Sequence, residues 1–400
     1  MDYGLIDAGG TLIGNPHHYR DDRTTAVIDR VHAAVPAEKL YGSNGLQFLP
    51  FNTLYQFAAD PRIHDPGVQA LLIPDLLGYW LTGEQVTEDT NASTTGLLDA
   101  RTGQWSTELI DTLGLPAGLL PRVVSPGTVV GDLTPAVSAQ IGLDRPVTLS
   151  TVGSHDTASA IVGVPAENPN FAYISCGTWG LVGVELDAPV LTEESRTANF
   201  TNERGVDGTI RYLRNVMGLW LLSESLRTWE LQGHTISLTG LLAMAADVPA
   251  GGSTFDPDAP QFLPPGDMPG RIADACRATG QRPPATRPET VRCILDSLAI
   301  TFAARIADAQ RLSGRRIDVI HIVGGGSQNE LLCQLVADAA GLPVVAGPVE
   351  ATALGNLLVQ ARTHGVLSGD LWDLRAQLRA ATQTHRFQPD ASNEPSRRPI

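Results

Sequence analysis

Lysine is almost missing from this chain. Among its 28 basic residues only Lys39 is a lysine, and every other one is arginine. A Walker A loop and a protein-kinase nucleotide strand both place a lysine on the phosphates, so both classes are excluded. Lys39 lies in PAEKLYG, with no glycine-rich loop ahead of it, and reads as a solvated surface residue. Positive charge is scarce as a whole. The formal net charge of −15 repels nucleic acid and anionic membrane, which excludes both as partners. Cysteine is sparse too. Cys176, Cys276, Cys293 and Cys333 form no C-x-x-C pair and no zinc-type spacing with histidine, which suits a reducing cytosol. No apolar run approaches the roughly 20 residues of a membrane span. The opening MDYGLIDAGG has neither the basic region nor the apolar core of a signal peptide, so a cytoplasmic protein is expected. NAS at 91–93 and NFT at 199–201 are then chance matches to the glycosylation sequon.

What is present suits a globular chain of about two or three domains, with an apolar fraction of 42%. LIDAGGTLIG at 5–14 reads as strand, tight turn and strand, and YISCGTWGLVG at 173–183 repeats the pattern, hinting at an internal duplication. Helical character is read at 22–36 and 50–58, and at 69–82 with Pro74 interrupting. TEDTNASTTG reads as a polar, turn-rich segment, and PVTLSTV at 146–152 as a buried strand. Residues 249–289 are rich in proline and glycine and read as loop with one short helix near 270–279. Apolar residues at three- and four-residue steps from Val291 to Ile306 make 289–312 the clearest helix. IDVIHIV at 317–323 reads as a central parallel strand, followed by GGGSQN and a helix from about 328 to 340 with Ser327 as its cap. A further strand at LPVVAG and a helix at 350–363 complete a strand–helix alternation that argues for a covered, mainly parallel sheet. Residues 1–164 and 165–385 are the two expected domains, and 386–400 a flexible tail.

Three stretches carry the chemistry. GSHDTASA at 153–160 follows the strand at 146–152, where ligand sites of open α/β sheets lie. Ser154, His155 and Asp156 are consecutive and point in different directions, so they do not form a hydrolase triad, and no G-x-S-x-G elbow is present. Asp156 suits a proton acceptor for a bound hydroxyl, and equally a cap for a helix starting at Thr157. In SCGTWG, Gly177 lets the backbone approach a ligand whose phosphate oxygens Thr178 could meet, although a plain hairpin turn has the same pattern. In VGGGSQN, Gly324, Gly325 and Gly326 remove every side chain that would block a nucleotide, or simply make a tight strand-to-helix turn. His17 and His18 beside Arg20, Asp21, Asp22 and Arg23 read as sugar-orienting groups or as a solvated charged loop.

Taken together these stretches resemble the FGGY carbohydrate kinases, and within them the rhamnulokinase branch. The likeness runs nearly end to end through NPHHYRDDRT at 15–24, GLQFLPFNTLYQ at 45–56, TNASTTGLLD at 90–99, GSHDTASA and SCGTWGL. It closes with TNERGVDGTIRYLRNVMGLWLL at 201–222 and HIVGGGSQNELLCQLVADAAGLPVVAGPVEATALGN at 321–356. The resemblance implies an α/β protein of two actin-like, ribonuclease H-like domains with an interdomain cleft, acting as monomer or homodimer on a small sugar and ATP with Mg2+. It implies transfer of the γ-phosphoryl group to the 1-hydroxyl of L-rhamnulose, with another ketose such as xylulose or fuculose, or a non-catalytic sugar binder, as alternatives. By the same resemblance Asp156 is the general base, and His155, Thr157, Asn215, Arg20 and Asp21 contact the sugar. Gly177, Thr178, Gly324, Gly325, Gly326 and Ser223 face the nucleotide, and no protein metal ligand is implied. Where relatives often carry glutamine this chain has Ser223, a lost hydrogen bond worth about 0.5–1.5 kcal/mol. The family's first phosphate hairpin lies upstream of the DYGLID strand. LIDAGGTLIG is therefore expected to be the next hairpin, with the first domain incomplete at its N-terminus and the isolated chain poorly active.

Overall fold

The computed structural model describes residues 1–19, 21–235 and 237–390. The chain divides into two compact units. The first comprises Met1–Gly163, Glu185–Tyr212 and Thr352–Gln377; the second comprises Val164–Val184, Leu213–Ala351 and the segment from Leu378 onward. Two segments that follow the first unit in sequence thus pack with it. Val162 and Val206 bury against Val359, Leu371 and Leu374, which explains why the Thr352–Gln377 segment belongs there. Arg375, fully buried, donates to both oxygens of Glu185 at 2.8 and 3.1 Å and to the Ile161 carbonyl at 3.0 Å.

Six short strands lie in the first 163 residues: β1 (Tyr3–Ile6), β2 (Gln69–Leu72), β3 (Thr87–Glu88), β4 (Val123–Val124), β5 (Val129–Asp132) and β6 (Thr148–Ser150). They pair as β1–β2, β3–β4 and β5–β6. The main apolar cluster gathers Tyr3 and Leu5 of β1, Val31 and Val35, and Leu54, Tyr55 and Phe57. The last three come from the Thr53–Ala59 helix, which begins within the QFLPFNTLYQ stretch and runs past its end.

Several expectations are corrected here. Pro74 does not interrupt a helix but starts one: β2 ends at Leu72, and the Ile73–Thr82 helix carries the proline in its first turn, where its missing N–H costs nothing. The chain does reverse at LIDAGGT, where Asp7 Oδ1 accepts from the amides of Gly9 and Thr11, each at 2.9 Å. Its second limb is short: it makes the Ile6–Leu12 bridge, with the Ile13 amide donating to the Leu5 carbonyl at 2.7 Å, while the other edge of β1 is paired with β2. The strand expected to be buried at 146–152 is a short edge strand, half-buried at best, paired with β5 across a bulge. TEDTNASTTG, expected to be polar and turn-rich, comprises β3, the Asp89–Ala92 helical turn and turns over 93–96, and it is buried throughout.

The remaining strands are β7 (Phe171–Cys176), β8 (Trp179–Leu186), β9 (Thr201–Arg204), β10 (Ile210–Met217), β11 (Val319–Val323), β12 (Val344–Ala346) and β13 (His385–Phe387). They form one sheet in the order β13-β12-β11-β7-β8-β10-β9. β11 lies parallel to both β7 and β12, and this central place is why IDVIHIV is a continuous apolar run. Unlike the first reversal, β7 and β8 make a full hairpin from Ala172↔Val184 to Cys176↔Gly180, so the two stretches that hinted at a duplication differ. The Arg287–Ser313 helix matches the expected one and opens with a capping box at Thr286 and Glu289. The Glu330–Ala340 helix is capped by Asn329, whose side chain accepts from the Leu332 amide; Ser327 lies instead in a 3-10 turn over Gly325–Gln328. The expected tail at 386–400 is corrected at its start, because His385–Phe387 pairs with β12 as an antiparallel edge strand, and 391–400 lie outside the described residues. No helix among the described residues is long and apolar enough to cross a membrane.

Candidate active site

In the first unit the chain leaves β6, passes Gly153-Ser154-His155 and enters the Asp156–Val162 helix. Gly153 is required by close packing: a Cβ there would lie 3.0 Å from the Ala158 Cβ and from the Ser159 amide. The helix begins at Asp156 and His155 holds the cap position, so the capping reading of Asp156 does not match where the helix starts. The Asp156 carboxylate is 79% exposed, and only its Oδ1 is engaged, by the Thr157 amide at 2.6 Å and hydroxyl at 3.3 Å. An acceptor carboxylate at a helix N-terminus, open to solvent, can take a proton from a bound hydroxyl.

Behind this exposed group lies a buried polar scaffold. Glu88, 1% exposed, accepts from the Thr90 amide (2.9 Å) and hydroxyl (2.6 Å) and from the Asn91 amide (3.2 Å). It also accepts from the Ser154 amide (3.1 Å) and hydroxyl (2.7 Å). Thr90 Oγ1 in turn accepts from the His155 amide at 3.3 Å. On the other side of the loop, His155 Nδ1 is 2.9 Å from Arg211 Nη2 and 3.2 Å from Glu203 Oε2, while its Nε2 is 3.8 Å from Asp156 Oδ1. Burial pushes the Glu203 carboxyl up, but the Arg211 guanidinium at 3.0 Å and the His155 ring outweigh it and hold the group down at about 2. Two neighbouring carboxyls go the other way. Burial, aided by the charge of Glu88, raises Asp89 to about 7 despite Arg204 at 3.5 Å. Burial also raises Asp75 well above the carboxylate range, although its Oδ1 accepts from the Glu88 amide.

A second cluster in this unit joins two of the quoted motifs. Asp21 accepts from the Arg23 amide at 3.2 Å, with His17 Nδ1 at 3.7 Å. Arg20 lies outside the described residues. Asp2 accepts from the Tyr19 amide at 3.3 Å and from Gln56 at 3.4 Å, and Gln56 also accepts from Arg23. The HHYRD segment is thereby tied to the QFLPFNTLYQ helix.

In the second unit three elements meet at the end of β7. Gly177 and Thr178 form the exposed turn of the β7–β8 hairpin, and no atom lies within 4 Å of a Cβ built on Gly177. The Gly218 amide donates to the Thr178 carbonyl at 3.1 Å and the Leu219 amide to the Gly177 carbonyl at 2.9 Å, which seats the Trp220–Leu231 helix on that turn. Ser223 is exposed in its first turn. The three glycines after β11 have separate reasons. Gly324 has φ +82° and approaches the Cys176 carbonyl, and a Cβ on Gly326 would collide with the Cys176 side chain. Gly325 alone faces open space. Two of the three therefore have a packing reason to be glycine as well, because β7 runs against them. Asn215 is half-buried on β10. The open positions at 177 and 325 beside an exposed hydroxyl fit a phosphate-bearing nucleotide. Among the described residues no group of three or more His, Cys, Asp or Glu side chains is placed to hold a metal ion.

The chain belongs to the FGGY family of carbohydrate kinases. The family's N-terminal domain matches residues 2–163 and its C-terminal domain residues 172–364. Among curated relatives, the rhamnulokinase of Enterococcus faecalis is 44% identical over 379 residues, covering 94% of this chain and 75% of that protein. The rhamnulokinase of Pectobacterium carotovorum is 42% identical over 399 residues, covering 98% of this chain and 78% of that protein. Among solved structures, a ligand-bound xylulose kinase from Lactobacillus acidophilus superposes with a TM-score of 0.77 at 18% identity, over 98% of this chain and 79% of that one. The ADP complex of Plasmodium falciparum glycerol kinase gives 0.75 at 18% identity, over 98% of this chain and 79% of that one. At such identities these neighbours establish the fold.

Glu88, Glu203 and Arg211 are the residues that sequence reading missed. Nothing local marked them: charged residues in polar stretches read as surface until burial shows otherwise.

Proposed function

We propose that this chain transfers the γ-phosphoryl group of ATP to the 1-hydroxyl of L-rhamnulose, with Asp156 as general base, in the cytoplasm. The observation that carries the reading is the exposed Asp156 carboxylate, set at a helix start on a buried polar scaffold. The rhamnulokinase relatives supply the choice of sugar. Asp156 accepts the hydroxyl proton as the sugar oxygen forms its bond to the γ-phosphorus. The bond from that phosphorus to the bridging oxygen breaks, and ADP leaves with the electron pair. Such transfers ask little covalent work of a protein, so positioning and charge neutralisation dominate. His155 and Thr157, which flank the base, with Asp21, Arg20 and Asn215, contact sugar oxygens. The Thr178 hydroxyl and the Gly177 backbone meet phosphate oxygens, while Gly324, Gly325, Gly326 and Ser223 border the nucleoside. Magnesium arriving with ATP, and held by its phosphates, would neutralise charge on the β- and γ-oxygens.

The test is an ADP-release assay with L-rhamnulose, xylulose and fuculose, run on the wild-type chain and D156N. L-rhamnulose is expected to give the highest kcat/KM, and D156N to lower kcat by about 10²–10⁴-fold, the usual worth of a positioned base. D156N turning over at the wild-type rate would sink the base assignment. A higher kcat/KM for either other ketose would move the substrate, and calorimetric sugar uptake without any ADP release would leave a binding protein.

A further inference from the structure

We infer that Glu88 is the positioning residue that sets the aim of Asp156; this rests on the reading of Asp156 as the base. Its carboxylate is almost wholly buried, and it binds two pieces of chain that are far apart in sequence. Three of its five bonds come from Thr90 and Asn91 of its own segment and two from Ser154, two residues before Asp156. The tether is reinforced on both sides. The Asn91 side chain donates to Ser154 Oγ at 3.2 Å, and the His155 amide donates to the same Thr90 hydroxyl that donates to Glu88. A hydroxyl that donates to a carboxylate and accepts from an amide is held in one orientation, so Ser154 and Thr90 act as fixed links rather than rotors.

The arrangement has a functional logic. Asp156 has to stay exposed to meet a substrate, so its own side chain is held only through its neighbour Thr157. The aim of the carboxylate then comes from the backbone at 154–155, and Glu88 is what fixes that backbone. Oε1 accepts one of the five donors and Oε2 the other four, so an amide nitrogen in place of either oxygen would face a donor instead of accepting from it. Glu88 touches no reacting atom in this scheme. It acts through the loop.

The test uses the full chain and four variants: E88Q, S154A, D156N and the double variant E88Q/D156N. With both substrates saturating, E88Q is expected to lower kcat by about 10²-fold, the scale of a 1 Å misplacement, with the KM for ATP changed by less than about twofold. S154A removes one link, keeps the buried carboxylate, and is expected to lower kcat by about three- to tenfold. Because Glu88 acts on kcat through the aim of Asp156, E88Q is expected to lower the sugar-saturated residual turnover of D156N by far less than it lowers that of the wild type. A general loss of folded protein would instead lower the double variant below D156N by the full E88Q factor. The inference is overturned if E88Q keeps wild-type kcat, or if its loss multiplies in full with that of D156N. Should E88Q fail to fold, S154A decides alone: unchanged kcat overturns the inference and the expected drop supports it. An active D156N overturns the parent reading of the base, whereas an inactive D156N beside a fully active E88Q overturns only this one.

Discussion

The two candidate regions are built by opposite means. The GSHDT loop of the first unit presents one exposed carboxylate and supports it with buried charge: Glu88 under Ser154, and the Arg211–Glu203 pair against His155. The SCGTWG and GGGSQN turns of the second unit contribute almost no charge. They make room, by omitting side chains where β7, β11 and the Trp220–Leu231 helix converge. Under the proposed function, the difference follows from the task. A base has to hold its aim, and buried charge-assisted hydrogen bonds are strong and directional. A polyphosphate chain needs backbone amides and space, which bulky or charged side chains would obstruct.

If this contrast is right, breaking the charged scaffold costs the most. R211M leaves Glu203 buried without its guanidinium, a loss of about 3–5 kcal/mol in stability. It also reshapes the pH dependence. The depressed Glu203 group contributes stability that is present above its unfolded value near 4.5 and is lost as pH falls through its folded value of about 2. Denaturant melts of R211M against wild type from pH 7 down to 3 are expected to converge on the acid side; a constant gap would contradict the pairing.

Next in size is a packing glycine of the second unit. G326A forces a methyl group onto the Cys176 side chain and is expected to cost about 1–3 kcal/mol, seen as a lower melting temperature. G325A, one residue away, is the contrasting case. It is expected to leave stability within about 0.5 kcal/mol and to raise the KM for ATP, because its methyl group enters open space on the nucleotide side. Equal melting temperatures for the two variants would erase the distinction drawn between neighbouring glycines.

A smaller effect concerns Asp75. Burial raises its folded value above the unfolded one, so its protonated form favours folding fully below about pH 4, and that contribution fades as pH rises through the folded value. D75N, which cannot ionise, is expected to flatten the decline of melting temperature that sets in as pH rises above about 4, shown by parallel scans of the two proteins. The smallest expected change is S223Q, which restores a longer donor and is expected to lower the KM for ATP by about two- to tenfold, one ordinary hydrogen bond. An unchanged KM would remove Ser223 from the nucleotide side.

Much of the second unit was legible from residues alone. A continuous apolar run makes a central parallel strand, and helical periodicity marks the long helix, because both signals are local. The first unit was read less well. TEDTNASTTG read as a polar, turn-rich segment, and nothing local showed that it is buried; Glu88, Thr90 and Asn91 find partners there, whereas Thr87 Oγ1 and Asp89 Oδ1 have no hydrogen-bond partner. PVTLSTV looked buried because its residues favour strands, yet it has only β5 beside it. Propensity registers backbone preference and is blind to how many neighbours a strand acquires.

By itself the order of residues determined the element types, the turns that need glycine, the lack of a phosphate-binding lysine, and the motif series that marks a carbohydrate kinase. Only the tertiary structure decided that Glu88, Glu203 and Arg211 lie behind the exposed Asp156, and that Gly324 and Gly326 serve packing while Gly325 faces open space. The physical reason is that periodicity and turn chemistry act between residues a few positions apart. Desolvation and charge pairing depend on segments such as 88–91, 153–156 and 203–211, which become neighbours only when the chain has folded.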